Sequence, residues 1–377
     1  MTIINASAPA AFHVSATEST PSTSAVTRHI FNTKQSRDEL KCAKLIGKIE
    51  AKQDALAKLE ASATRCKAIQ NKRIAYIQAH LHCHEVKLDK LLNQQEHSLM
   101  TKILAPTDHN TKKEIQCSAM LASFAYHQDL DRLHSATDQQ WSLDKPLITE
   151  LAKEVGLKVY PAKGMIIDSQ SGLVGFVFHN HQAKELRLVF GGTSSGKATG
   201  SLMYRSISNF KVTMHQWGAN AKNAITGKTP DSYAQAQLIA ETLTRMISSG
   251  DYKDYRLSLS GHSKGAGEAA YAAAMISTPE NPVKAECFCS AELGSSMLQD
   301  IHARFADPKQ AKQAVSEIQH YKIQGDPVPN VHRVKHDLEH VGKIMTLPHT
   351  EVEGANNMLA YHDKFDRQIA AWLSNTP

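Results

Sequence analysis

The chain has 377 residues, 41% of them hydrophobic, and a formal net charge of +6. That is enough for one large domain with an appendage or for two domains, and no run reaches the roughly 20 apolar residues that cross a bilayer. Cys42, Cys66, Cys83, Cys117, Cys287 and Cys289 are scattered and no apolar signal core opens the chain, so they read as reduced thiols and not as a disulfide framework.

The charge is uneven. Lys34 to Lys102 holds 14 Lys/Arg against 8 Asp/Glu, an excess of 6 that equals the whole imbalance. A solvated basic helix face is the plain reading and attraction to an anionic membrane surface the functional one; no nucleic-acid partner is expected. Residues 1–34 are rich in Ser, Thr and Ala, with Pro9 and Pro21, and Glu18 is their only acid. They carry too little apolar content to fold. This stretch is similar to the uncleaved Ser/Thr-rich leaders of bacterial effectors delivered by type III machines, against the alternative of an ordinary disordered tail.

Residues 35–105 contain no Pro and one Gly, Gly47. Leu45, Ile49, Leu56, Leu59, Ala63 and Cys66 keep a three-four apolar rhythm that Ile77, Leu81, Leu88 and Leu91 resume. Gln70 and Arg73 interrupt the stripe, which excludes one unbroken coiled coil and predicts a very long helix or a helical hairpin. It packs on the rest of the chain or on a partner such as a secretion chaperone or a host protein. His80, Cys83 and His84 share a helical face with metal-ligand spacing, but no further ligand group accompanies them, so no metal is assigned.

Residues 106–377 read as one α/β domain. Helices are predicted over 112–126, with Ile115, Met120, Leu121, Phe124 and Ala125 inward, and over 147–155. Strands follow at 157–160, 165–168, 173–179 and 186–190, the middle two as a hairpin. Asp231 is placed as the N-cap of a helix through about Ile247, with Ala234, Leu238, Ile239, Leu243 and Met246 on its inner face. Further strands fall at 257–260, 283–290, 321–324 and 342–347, and helices at 266–275, 296–305 and 363–373. This alternation specifies a largely parallel central sheet with an antiparallel start.

Chemistry concentrates at Gly261-His262-Ser263-Lys264-Gly265, a G-x-S-x-G between a strand and an Ala-rich helix. A strand that turns at once into a helix forces the central Ser into a strained, exposed conformation, and the glycines remove side chains that would clash at the bend. The Lys264 N–H, at the helix N-terminus, is placed to face a developing oxyanion. Catalytic groups of open α/β sheets lie past the carboxyl ends of strands. Asp326, directly after 321–324, takes the acid position, and His362 the base, with His349 as the alternative. His332, His336 and His340 precede the last strand, at its wrong end. Thr193, after Gly191-Gly192 at the end of a strand, is the second expected oxyanion donor.

Together these residues resemble the class 3 (fungal-type, triacylglycerol) lipase family of α/β-hydrolases. Leu188 to Thr193 resembles its F-R-G-T oxyanion strand, His215-Gln216-Trp217-Gly218 its H-x-G-F segment, and Gly325-Asp326-Pro327-Val328-Pro329 its D-P-V-P motif. His340-Val341-Gly342 is similar to its H-V-G, and His362 falls where a family His precedes the last helix. The departures are Gly191 in place of Arg and Lys264 in place of an apolar residue. The resemblance implies a lipase or phospholipase A that cleaves lipid carboxylic esters through an acyl-enzyme on Ser263, without metal or organic cofactor. It also implies a helical lid, a place taken by 196–211 with Leu202, Met203, Tyr204, Ile207 and Phe210. The basic segment and the leader favour membrane phospholipids as substrate and secretion, without a cleaved signal peptide, to the membranes of a recipient cell. The alternative is a non-catalytic interaction protein whose 35–105 segment binds a partner.

Overall fold

The computed structural model describes residues 34–60, 71, 74–78, 80–81, 84, 98–103, 108–192, 229–333, 338–350 and 358–374. They fall into two units, divided in sequence between His97 and Ser98.

In the first unit α1 (Lys34–Glu60) is one continuous helix, and residues 74–78 are helical too. The Lys52 ammonium lies 5.8 Å from the centre of the Tyr76 ring. On one straight helix the two residues would stand roughly 36 Å apart at 1.5 Å per residue. Lys52 and Tyr76 therefore do not lie on one straight helix. His80 is exposed, with its ring 4.4 Å from that of Tyr76, and Cys83 lies outside the described residues.

The second unit begins with β1 (Met100–Ile103), α2 (His109–His127), α3 (Leu130–Ala136), β2 (Ser142–Leu143) and α4 (Lys145–Glu154). Four strands follow: β3 (Lys158–Tyr160), β4 (Met165–Asp168), β5 (Leu173–Asn180) and β6 (Glu185–Phe190). Beyond the undescribed 193–228 come α5 (Asp231–Ile247), β7 (Arg256–His262), α6 (Lys264–Ile276), β8 (Lys284–Phe288), β9 (Leu293–Gly294), α7 (Ser295–His302) and α8 (Pro308–Ala314). The last elements are β10 (Ile318–Ile323), β11 (Leu338–Glu339), β12 (Gly342–Leu347), α9 (Met358–Asp363) and α10 (Phe365–Ser374).

The main sheet runs β1-β12-β10-β8-β7-β6-β5-β4-β3. It is parallel from β1 to β6 and antiparallel from β6 to β3, with β2 antiparallel on β5. Alternation along β5 shows how the sheet is covered on both faces. Val174, Phe176 and Phe178 pack with Leu121, Phe124 and Ala125 of α2, whereas Leu173 and Val177 join the α4–α7 layer. Each such side chain contributes roughly 1.5–3 kcal/mol on burial. In α6 every residue from Lys264 to Ala274 is buried. Ala266, Ala269, Ala270 and Ala273 let it press closely against the sheet and α5, which fixes the start of α6 against the strand ends.

This is the expected α/β-hydrolase architecture, with local corrections. Residues 100–103 are not the end of a helix: they form an edge strand in parallel register with Gly342 to Met345, whose backbone satisfies theirs. The lack of Pro and Gly there permitted a helix without requiring one. Asp231 is the first residue of α5 and caps nothing; Pro230 holds the N-cap position at φ −59°. The inner face of α5 is Tyr233, Ala236, Ile239, Ala240, Leu243 and Ile247, and Ala234 and Leu238 are exposed. The short α3, α8, β2, β9 and β11 carry too few residues for a readable period.

Candidate active site

Ser263 sits where β7 becomes α6, at φ 59° and ψ −124°, a left-handed conformation unusual outside glycine. Its N–H donates to the Phe288 carbonyl at 3.0 Å, and its own carbonyl accepts from Ala291 N–H at 3.0 Å, so β8 and the turn after it hold the strained residue. Both motif glycines are required. A Cβ on Gly261 would stand 2.5 Å from the Gly265 backbone, and one on Gly265 would stand 2.4 Å from the Phe190 carbonyl oxygen.

The structure brings the three expected residues together. His362 Nε2 is 2.9 Å from Ser263 Oγ, and His362 Nδ1 is 2.9 Å from Asp326 Oδ2. Asp326, 1% exposed, follows β10; its Oδ1 accepts from Val328 N–H at 2.9 Å and its carbonyl oxygen from Asn330 Nδ2 at 2.7 Å. Gly325 at φ 91° makes the turn that delivers it. His362, buried, is carried on α9. His349 is exposed and lies against Tyr361, with ring centres 5.2 Å apart, away from this group. The hydroxyl, imidazole and carboxylate are thus in the order that proton transfer from Ser to His and its electrostatic support need.

A family model described as Phospholipase-like, Tle-like phospholipase domain, matches residues 117–374. The chain belongs to the Tle-like phospholipase family. It is accordingly a lipid ester hydrolase, which sets aside the non-catalytic alternative. Among solved structures the chain is similar to lipase II from Rhizopus niveus, at 15% identity over 63% of this chain and 81% of that one, with a TM-score of 0.37. It is similar to Lip2 lipase from Yarrowia lipolytica, at 15% over 65% and 82% (TM-score 0.40). A triacylglycerol lipase from Penicillium expansum matches at 16% over 65% and 83% (TM-score 0.38). No curated protein matches.

In this Tle-like domain Lys264 is the first residue of α6, so its N–H has no acceptor within the helix. Its side chain is committed elsewhere: Nζ donates to the Gly172 carbonyl at 3.0 Å and pairs with Glu268, which is fully buried. Burial raises the Glu268 carboxyl above its ordinary value against the pull of Lys264. A charged residue where an apolar one is usual is therefore matched by an acid one turn on. Thr193, Leu202, Met203, Tyr204, Ile207 and Phe210, and the 215–218 segment, lie outside the described residues.

Four residues next to the triad carried no sequence signal. Tyr126 Oη is 2.7 Å from His262 Nδ1, and His262 Nε2 is 3.0 Å from the main-chain carbonyl of His362. The His262 ring stacks on Phe365 at 4.0 Å and 8°. Burial, then neighbouring His362, push His262 well below the usual imidazole range, so it stays neutral. Cys289, at φ 47° and 1% exposed, lies beside the Asp326 side chain; burial and then that carboxylate push its thiol up. His262 stands inside the motif as an unspecified residue, while Tyr126, Cys289 and Phe365 come from elements remote in sequence, so only the fold assembles them. Among the described residues His262, Cys289 and His362 are the one group with metal-ligand spacing. The ring nitrogens of both histidines are already bonded, to Tyr126, Asp326, Ser263 and the His362 carbonyl. Cys117, Cys287 and Cys289 are free thiols.

Proposed function

We propose that the chain hydrolyses carboxylic-ester bonds of membrane phospholipids, as a phospholipase A, through an acyl-enzyme on Ser263. The observation that carries this reading is His362, bonded at 2.9 Å to both Ser263 Oγ and Asp326 Oδ2. Ser263 Oγ attacks the ester carbonyl carbon as His362 Nε2 takes its proton; Asp326 holds the Nδ1–H tautomer and stabilises the imidazolium. The carbonyl electrons move onto oxygen, where the N–H groups of Lys264 and Thr193 receive the charge. Collapse breaks the bond to the lysolipid alkoxide, which takes the proton from His362. Water, deprotonated by His362, then attacks the acyl carbon, releases the fatty acid and restores Ser263.

The apolar residues Leu202, Met203, Tyr204, Ile207 and Phe210 form a lid that turns outward at a bilayer. Each side chain that enters lipid gains roughly 1.5–3 kcal/mol, offsetting the cost of opening. Residues 1–34 act as a leader for delivery into another cell, and 35–105 bind a chaperone or host protein. The Tle-like description and the basic charge of 34–102 support this effector reading.

Fatty-acid release from mixed phosphatidylcholine and phosphatidylglycerol liposomes tests the core of the reading: wild type releases it and Ser263→Ala does not. Release that survives Ser263→Ala contradicts it. Leu202→Ser with Ile207→Ser separates a lid from ordinary core. A lid loses liposome activity but keeps activity on a water-soluble ester, whereas a core helix loses both together with a fall in Tm.

A further inference from the structure

We infer that Tyr126 and His262 are positioning residues, which tie the backbone of the catalytic base to α2 through one directed line of hydrogen bonds. The inference rests on the Ser263 hydrolase reading and deepens it.

The direction of the line follows from what each group can give. The His362 carbonyl only accepts, so His262 Nε2, 3.0 Å away, carries a proton. A neutral imidazole then has a lone pair on Nδ1. Tyr126 Oη, 2.7 Å from Nδ1, donates to it. The line is Tyr126 O–H to His262, and His262 N–H to His362 C=O. No step can be reversed without leaving a buried group unpaired, and bonds in such a series polarise one another. Burial raises the Tyr126 phenol far above its usual range, which keeps the proton on oxygen as the line requires.

The packing admits little else. A Cβ on Gly192 would stand 2.1 Å from Tyr126 Oη, 3.0 Å from the His262 carbonyl oxygen and 3.3 Å from Ser263 Cβ. Any side chain there evicts the phenol or shifts the nucleophile. At its far end the line holds the main chain of His362, whose ring is held separately by Asp326. Phe365, stacked on His262, keeps that ring in plane.

Residue replacement on the full chain, with p-nitrophenyl butyrate as soluble probe, tests this. Tyr126→Phe removes the donor to Nδ1. His262→Asn keeps an acceptor for Tyr126 but no donor that reaches the His362 carbonyl, and His262→Gln places an amide nitrogen near the lost Nε2. We expect His262→Asn to lower kcat about a hundredfold and Tyr126→Phe about tenfold, both with little change in KM, and His262→Gln, which restores the donor but not the acceptor, to fall no further than Tyr126→Phe. The far-downfield proton resonance of the Asp326–His362 hydrogen bond should broaden or move in the Asn variant and persist in the Gln variant. A merely structural role predicts equal losses for Asn and Gln that follow the folded fraction in melting curves, and that result overturns the inference. So does wild-type kcat in folded Tyr126→Phe and His262→Asn. If Tyr126→Phe does not fold, the Asn and Gln pair decides. Wild-type protein without esterase activity would instead overturn the hydrolase reading, and the inference with it.

Discussion

Two buried polar clusters share strands β6, β7 and β8, one at each end. At the amino ends Arg187, 2% exposed, donates to Ser258 at 2.9 Å, Glu286 at 3.0 Å and Glu185 at 2.7 Å, and also to Ser118. Its guanidinium lies 4.9 Å from the Trp141 ring centre. Burial alone would lower the Arg187 pKa, but Glu286 and Glu185 more than reverse that, and the group stays charged. At the carboxyl ends stand Gly192, Ser263, Cys289 and Asp326. There the Asp326 side chain meets the His362 imidazole and the Val328 N–H, with the Cys289 thiol beside it. One cluster neutralises itself and so serves the fold. In the proposed mechanism the other holds a carboxylate ready for an imidazolium that forms during turnover. Burial alone does not distinguish them; the Arg187 guanidinium does.

The largest expected effects break the carboxyl-end cluster without touching the fold. Ser263→Ala abolishes ester hydrolysis with Tm unchanged, and Asp326→Asn costs about 10⁴-fold in kcat, because the wrong His362 tautomer faces Ser263. His362→Ala loses nearly as much as Ser263→Ala, while His349→Ala retains activity; steady-state kinetics on a soluble ester checks all four. If His349→Ala is inactive and His362→Ala is not, the base is misassigned.

The amino-end cluster should respond the other way. Arg187→Met leaves the buried Glu286 with only the more distant Lys284, 3.8 Å away, and the half-buried Glu185 without its partner, and costs about 3 kcal/mol of stability, read from urea unfolding. The kcat of the fraction that stays folded should match wild type. Loss of kcat in folded protein would mean that the two ends are coupled.

Acid should expose a third kind of buried polar group. Burial lowers His320 to about 4, and it lowers His262 well below its ordinary value. The unfolded chain binds these protons below about pH 6.5, where the folded chain does not. Stability is therefore complete above about pH 6.5 and falls as the pH drops from there toward the folded value of about 4. Urea unfolding at stepped pH measures the slope, and His320→Gln should flatten it. An unchanged slope would show that His320 is not a source of it.

The smallest effect concerns Cys289. Cys289→Ala removes the thiol from Asp326 and should lower kcat several-fold, up to about tenfold, whereas Cys289→Ser, which keeps a donor, stays near wild type. Equal behaviour of Ala and Ser would remove the thiol from the positioning of Asp326.

What was legible in the sequence was whatever is local. The G-x-S-x-G elbow, the Gly-Asp-Pro turn and the strand-helix alternation each lie within a short window, and they placed Ser263, Asp326 and the sheet. His362 was reached through the rule that catalytic groups sit past strand ends. Tyr126 and Cys289 were not legible, because their role comes from α2 and β8 meeting β7 and β10 in space. The α5 face was misread because Leu238 is apolar yet 45% exposed, while Ser232 and Thr242 are buried. The end of the 35–105 segment was misread because β1 is defined by its partner β12 and not by its own four residues.

The central claim is that Ser263 is the nucleophile and that His362 activates it. Labelling with a fluorophosphonate, followed by peptide mapping, tests it most directly. The account predicts one adduct, on Ser263, absent in Ser263→Ala and strongly slowed in His362→Ala. Active wild-type protein that takes up no label, or takes it up at another residue, would contradict it.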